Sequence, residues 1–328
     1  MRWRTLSRVF RRPFTSAAAA ASTMLTTHSQ PLISQQHIDG NQLQKLALTL
    51  GRTTIGDHDI TTRPPPDGTP LPPGHHLVYF TPSGTEASLG PDGTDLTFNA
   101  PAPYTRRMWA GGQMSWAAEP LLQLRTGDVV EEHTRLLSAV PKKSRSGAEM
   151  VLVEVEKQFR GPRGPCVLDR RSWIFRQQID PKDDRAYTSS PGHLSRTPTV
   201  IADISQEDGS YLVRELTWSP VGLFRFSALT FNGHKIHYDE GWSQGVEGHP
   251  GIVVHGPLNL INILDYWRDI HGQGTLRRIT YRALSPLYAG DTYRIKTTGV
   301  ADRDGETVYD IVAEKSGTVC MRSRITAK

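Results

Sequence analysis

Two kinds of apolar pattern alternate along the chain. Between Ser34 and Gly51, Leu43, Leu46, Ala47 and Leu50 recur at helical spacing, and Gly51 stands where a glycine ends a helix. A Pro- and Gly-rich loop over 63–74 and the short apolar run Leu77 to Phe80 come next, and 89–112 is irregular. Beyond it the period falls to two. Gln113 to Trp116, Val129 to Val140, Met150 to Phe159 and Val167 to Arg176 read as strands, separated by turns such as Lys143 to Gly147.

The same order then recurs. Leu121 to Asp128 has a counterpart in Ser285 to Asp291, each after an aromatic-bearing strand, around Trp116 and around Tyr281. Thr292 to Val300, Thr307 to Glu314 and Thr318 to Ile325 repeat the strands of the first half. A spacing of roughly 160 residues points to duplication rather than to a solenoid, whose repeats are far shorter. Ser219-Pro220-Val221 predicts an N-cap and first-turn proline for a short helix through Phe224 and Ala228. Gly256-Pro257 before the apolar run Leu258 to Trp267 predicts the start of a buried helix. One α+β architecture satisfies these patterns: each half a curved antiparallel sheet wrapped on a long apolar helix, with the sheets joined edge to edge. The polar stretch 181–208 then reads as a linker between an N-terminal unit, 31–180, and a C-terminal unit, 209–328.

Charge changes the picture at one end. Residues 1–38 contain Arg2, Arg4, Arg8, Arg11 and Arg12, no Asp or Glu, and the Ser/Ala/Thr-rich tract Thr15 to Thr27. This composition predicts a mitochondrial transit peptide over 1–30, destined for the matrix, and Arg12-Pro13-Phe14 before Thr15-Ser16 resembles a matrix-protease cleavage site. The whole chain carries +5, but without its first fourteen residues 33 basic face 33 acidic side chains. The remainder therefore offers no overall charge for gripping nucleic acid, and no apolar run is long enough to span a membrane. Cys166 and Cys320 stand alone without a CxxC spacing, so neither a disulfide framework nor a cysteine metal site is expected.

Candidate chemistry concentrates in 226–258. Asn232, His234, His237 and Asp239 fall within eight residues, close in sequence to His255 and the helix start at Gly256. Side chains of this kind are costly to bury unless they hydrogen-bond or react, and a helix N-terminus beside them favours negative charge on a carbonyl oxygen. His234, His237, His249 and His255 form no recognised zinc spacing, and no metal or other cofactor is expected.

The stretch from Phe226 to Asp239, Phe-Ser-Ala-Leu-Thr-Phe-Asn-Gly-His-Lys-Ile-His-Tyr-Asp, resembles the signature of the fungal mitochondrial type 2 hydroxyacyl-thioester dehydratases and related MaoC-like proteins. Arg106 to Gly112 and Leu71 to Phe80 resemble further stretches of that family, so the likeness runs through nearly all of the chain beyond the leader. The resemblance implies a double hot dog fold and reversible dehydration of (3R)-3-hydroxyacyl thioesters to trans-2-enoyl thioesters. It further implies type II fatty acid synthesis in mitochondria, with the acyl group on acyl carrier protein or CoA. A homodimer is among the assemblies it leaves open. In the wider hydratase family the loop reads Asp-x-Asn-Pro-x-His. Aligning the last histidine on His237 puts Asn232 at the Asp position, and an amide orients by hydrogen bonds but moves no proton.

On this reading His237 is the general base, and the same imidazole can return the proton to the leaving hydroxyl. Asn232 holds the hydroxyl and the Gly256 N–H receives the thioester oxygen. His234 stands in reserve as an acid, and Asp239 as an orienting partner, a group acting on water, or a plain hydrogen-bond partner or turn residue. His255, Arg106, Arg107 and Trp109 are the candidate substrate-binding residues, an arginine meeting a phosphopantetheine phosphate or an acidic carrier, or else forming an interdomain ion pair. Two rival functions are a hydratase of short dicarboxylic acyl-CoA of the mesaconyl or itaconyl type, which needs a fixed Arg or Lys deep in the pocket, and a non-catalytic acyl-thioester-binding protein.

Overall fold

The computed structural model describes residues 15–179, 198–206, 211–272 and 274–328. In the first half lie α1 (Ala17–Thr27), β1 (Leu32–His37), α2 (Gly40–Thr49), the small hairpin β2 (Thr54–Ile55) and β3 (His58–Asp59), then β4 (Arg106–Trp116), β5 (Val129–Lys143), β6 (Glu149–Gly161) and β7 (Gly164–Arg176). The second half adds β8 (Val200–Ile204), β9 (Val213–Thr217), α3 (Pro220–Leu229), α4 (Glu240–Gly245), α5 (Gly256–His271), β10 (Leu276–Ala283), β11 (Thr292–Arg303), β12 (Glu306–Lys315) and β13 (Thr318–Ala327).

All strands but the small hairpin form one antiparallel sheet in the order β1-β5-β6-β7-β4-β10-β13-β12-β11-β9-β8. The two halves meet at β4 and β10, with Ser115 opposite Arg278 and Gly111 opposite Arg282. The expected double hot dog is therefore present, its two units related by the matching order of their strands about that junction. The long helix belongs to the C-terminal unit. In α5 every residue from Leu258 to Trp267 is buried, Asn259, Asn262 and Asp265 among them, so the helix lies inside on all its faces. Each buried Leu or Ile there contributes about 1.5–3 kcal/mol. At the corresponding place in the first half the chain makes one 3₁₀ turn, His75–Val78, so no helix of that length fills the N-terminal unit among the described residues. This departs from the symmetric expectation, and it leaves room beside the sheet.

Three boundaries differ from the sequence expectation. The helix expected between Ser34 and Gly51, α2, starts at Gly40, because the Asp39 carboxylate caps it by accepting the Gln42 N–H at 2.8 Å. The residues before it pair with β5 as an edge strand, Leu32 opposite Thr134 and His37 opposite Val129. Part of the expected linker, Val200–Ile204, is the strand β8 paired to β9, while 180–197 and 207–210 lie outside the described residues. The third concerns the expected leader. Residues 1–14 are outside the described residues, but α1 is part of the fold: Ala17, Ala20, Ala21 and Met24 are buried in a core with Tyr104, Val151, Val153, Val155 and Phe175. Its alanines let the helix approach the sheet closely, which is why an Ala-rich tract serves here as packing surface.

Candidate active site

α3 delivers the chain into the motif. Ser219 caps it by accepting the Gly222 N–H at 3.0 Å, and Pro220 pre-sets the first turn. The loop beyond α3 is clasped by the N-terminal unit: the Lys235 N–H donates to the Asp92 carbonyl at 2.8 Å, and Lys235 Nζ to the Pro91 carbonyl at 2.8 Å. At Gly93, φ is +79° and an added Cβ would sit 2.0 Å from the Gly233 carbonyl oxygen, so only glycine permits this approach.

His237 ends a short 3₁₀ turn, and its Nδ1 lies 2.8 Å from the Val253 carbonyl oxygen. A carbonyl only accepts, so Nδ1 carries the hydrogen and Nε2 bears the lone pair. The His255 ring stacks on it with centroids 3.7 Å apart and planes at 17°, while His255 Nε2 lies 2.9 Å from the Ser227 hydroxyl. The His234 ring stands edge-on to His237 at 5.4 Å, and its Nε2 is 3.6 Å from Asp92. Burial, only partly offset by the Val253 hydrogen bond, lowers the His237 pKa to about 4. Burial likewise holds His234 and His255 well below the ordinary imidazole range, and the neighbouring His237 pushes both the same way. The cluster is therefore a set of neutral imidazoles, with a base ready at neutral pH.

Asn232 turns its side-chain oxygen back to accept the His234 N–H at 3.1 Å, which leaves the amide NH₂ to donate into the cavity that the residue lines. Gly256 is the first residue of α5, where the backbone N–H has no partner within the helix and the dipole is positive. An added Cβ at Gly256 would come within 3.0 Å of Trp109 Cγ, so the indole lies directly against this helix start. Tyr281 stacks behind the indole at 6.2 Å, and the Arg171 guanidinium sits 5.3 Å over it.

A cavity of about 600 Å³ joins these groups. The segment from α3 to α5 contributes Asn232, His234, His237, His255 and Gly256 to its lining, and the strands of the N-terminal unit contribute Arg107, Trp109, Glu132, Lys157 and Arg171. Of the expected site residues, Asp239 alone is not among those lining the cavity. Its carboxylate caps α4 by accepting the Trp242 N–H at 2.9 Å, a role that directs the side chain along the helix rather than into the site. Arg106 lines the cavity but is held by Glu247, both through its carboxylate and through its carbonyl oxygen at 3.0 Å. It is the interdomain ion pair of the two alternatives.

Sequence reasoning missed Ser227, Asp92 and the charges Glu132, Lys157 and Arg171. For Lys157 and Arg171 a signal existed. Lys157 has the parity of the buried Val151, Val153 and Val155 on β6, and Arg171 that of Trp173 and Phe175 on β7. A charge at an inward-facing strand position is either paired or in contact with a ligand. For Ser227 and Asp92 nothing local in sequence announces the partner.

Residues 74–289 match the family model described as hydroxyacyl-thioester dehydratase type 2. The mesaconyl-C(4)-CoA hydratase of Chloroflexus aurantiacus is 30% identical over 292 residues, covering 82% of this chain and 97% of that protein. The mitochondrial hydroxyacyl-thioester dehydratase type 2 of Schizosaccharomyces pombe is 25% identical, covering 69% of this chain and 77% of the other, and that of Saccharomyces cerevisiae is 23% identical, covering 68% and 75%. Among solved structures, a MaoC-like dehydratase superposes with a TM-score of 0.57 at 12% identity, over 93% of this chain and 99% of its own. A Mycobacterium tuberculosis protein described as having a double hotdog fold gives 0.53 at 13% identity, over 91% and 95%. At these identities the two structures speak for the fold alone.

Proposed function

Because the chain belongs to the hydroxyacyl-thioester dehydratase type 2 family and is thereby a hydro-lyase, we propose that it interconverts (3R)-3-hydroxyacyl thioesters and trans-2-enoyl thioesters at the His237 cluster. In dehydration, His237 Nε2 takes the proton from the carbon next to the thioester carbonyl. The charge that develops on the thioester oxygen is received by the Gly256 N–H, an interaction that strengthens only as the charge appears. The carbon–oxygen bond at C3 then breaks, and the imidazolium returns its proton to the leaving hydroxide, which departs as water. Asn232 donates to the hydroxyl oxygen and fixes its place. Hydration runs the same steps backwards. His234, kept neutral by burial, is a poor acid, so one imidazole handles both transfers.

The observation that carries this reading is the Nδ1 hydrogen bond to Val253, which leaves the Nε2 lone pair of a neutral imidazole available in a cavity shared with a helix N-terminus. Purified protein incubated with trans-2-enoyl-CoA thioesters of several acyl types is expected to consume the enoyl absorbance and, from the hydroxy side, to regenerate it. A wild-type protein that converts neither side of any pair would leave only the binding-protein reading.

The basic leader and the two yeast relatives, both named as mitochondrial, support a mitochondrial address and, for this chain, the matrix. Since α1 is packed into the core, the leader ends before it. Amino-terminal sequencing of the protein from mitochondria is expected to find a start no later than Ser16, the α1 cap; a start beyond Thr27 would contradict the role given to α1.

Two acyl classes fit this chemistry. The resemblance of the 226–239 motif to the type 2 dehydratases favours fatty acyl groups on acyl carrier protein in type II fatty acid synthesis, and the Chloroflexus relative, named as a mesaconyl-C(4)-CoA hydratase, favours a short dicarboxylic acyl-CoA. The cavity wall formed by the N-terminal strands bears on the choice.

A further inference from the structure

A fatty acyl tail is best received by an apolar pocket end, yet the cavity wall formed by the N-terminal strands carries three cations at neighbouring strands, Arg107 on β4, Lys157 on β6 and Arg171 on β7. Two of them are answered within the protein. Lys157 Nζ lies 2.7 Å from Glu132 Oε1, and Arg171 2.6 Å from Asp169 Oδ2. Arg107 is not: among the described residues no carboxylate or other acceptor lies within bonding distance of it, and its guanidinium rests 5.3 Å over the Trp173 ring. Asp95 and Asp92 act on it only from farther away, and burial outweighs them to bring its pKa down. Its neighbour Arg106 shows what the same side chain does when its anion is built into the fold.

A half-buried guanidinium without a counter-ion is costly, and a ligand anion removes that cost. The planar fork fits a carboxylate with two parallel hydrogen bonds, and Trp173 beneath it fixes its plane. Position argues for an anion on the acyl group. Arg107 stands two residues before Trp109 on β4, paired with Phe175 as Trp109 is with Trp173, and Trp109 lies against the helix start at Gly256. Arg107 thus belongs to the reacting end of the cavity, whereas a pantetheine phosphate lies at the far end of a long arm from the thioester.

Resting on the hydro-lyase reading of this site, we propose that Arg107 binds a carboxylate borne by the acyl group, and that the preferred substrates are short dicarboxylic 2-enoyl thioesters and their 3-hydroxy counterparts. Fumaryl-CoA and crotonyl-CoA test this directly, because they differ only in a carboxylate in place of a methyl. The wild-type kcat/KM is expected to favour fumaryl-CoA by at least about tenfold. Arg107→Met should lower that ratio about 100-fold, the scale of a charge-assisted bidentate contact, and Arg107→Lys should lower it less. A wild-type preference for crotonyl-CoA, or an unchanged ratio in Arg107→Met, overturns the proposal.

Binding to the wild-type protein needs neither turnover nor a variant that folds. Succinyl-CoA should bind at least about tenfold more tightly than butyryl-CoA, and equal affinity contradicts the carboxylate site even if no substrate is converted. Loss of turnover on both enoyl thioesters with the succinyl preference intact would instead sink the hydro-lyase reading alone. Repeating the comparison with pantetheine thioesters that lack the phosphate should preserve the preference for the carboxylate. If the effect of Arg107→Met disappears with the phosphate, Arg107 serves the pantetheine arm and the proposal fails.

Discussion

Replacing His237 by glutamine is expected to lower kcat by about 10³-fold or more on any thioester the protein converts, because the variant loses both proton transfers at once. Glutamine still offers an N–H for the Val253 carbonyl, so the loop keeps its tie and the loss reports chemistry rather than collapse. The pH profile makes the same assignment independently. With the imidazole held at about 4 by burial, its free-base form persists far below the usual histidine range. The acid limb of kcat/KM should therefore fall near pH 4 rather than near 6.5, and be absent from His237→Gln. The sign for stability is opposite to that of a paired histidine. The folded state binds fewer protons than the unfolded chain between pH 6.5 and about 4, so stability present above 6.5 is lost as the pH falls through that window. His76, lowered to about 3, adds to this loss. Circular dichroism at each pH separates the two effects, and an acid limb near 6.5 on folded protein would contradict the assignment.

Gly256→Ala should lower kcat by about 100-fold although it deletes nothing. The added methyl would stand 3.0 Å from Trp109 Cγ and 3.1 Å from its Cβ. The indole is hemmed in by Tyr281 and by the Arg171 guanidinium, so the helix start must give way instead. A shift of a few tenths of an ångström moves the N–H off the developing oxyanion, and losing such a donor costs about 10²–10³ in rate. Trp109→Ala in the same background removes the Cγ that the methyl would meet and is expected to recover part of the loss. Steady-state kinetics of the single and double variants decide the matter, and additive losses would contradict a clash with Trp109.

Much of the fold was legible because local chemistry and global pattern agree. The helix α5 announces itself by Pro257 and an unbroken apolar run, and the long hairpins by alternation between glycine turns. Where the reading failed, a distant partner decides. Nothing within Thr15 to Thr27 says that Ala17, Ala20 and Ala21 will meet Val151 and Phe175, and alanine gives little hydrophobic contrast to a leader's composition. The short strand β8 is mostly exposed at the sheet edge, with a burial pattern too weak to separate it from a linker.

The site divides the same way. His237, Asn232 and Gly256 were marked by their place in one motif, while the difference between Arg106 and Arg107 was not legible at all. Both line the cavity, and only Glu247, 141 residues away, shows which arginine is spoken for. Asp239 was read as part of the polar cluster by proximity, but it begins a helix, and an aspartate at that point caps.

The central claim is that one imidazole on one side of the substrate moves both protons. Hydration of an enoyl thioester by the wild-type protein in D₂O tests it most directly, with the product analysed for deuterium at C2 and its placement relative to the new hydroxyl at C3. A single base requires one deuterium, added to the same face as the hydroxyl. Addition to opposite faces would require a second proton-transfer group across the substrate and would contradict the account.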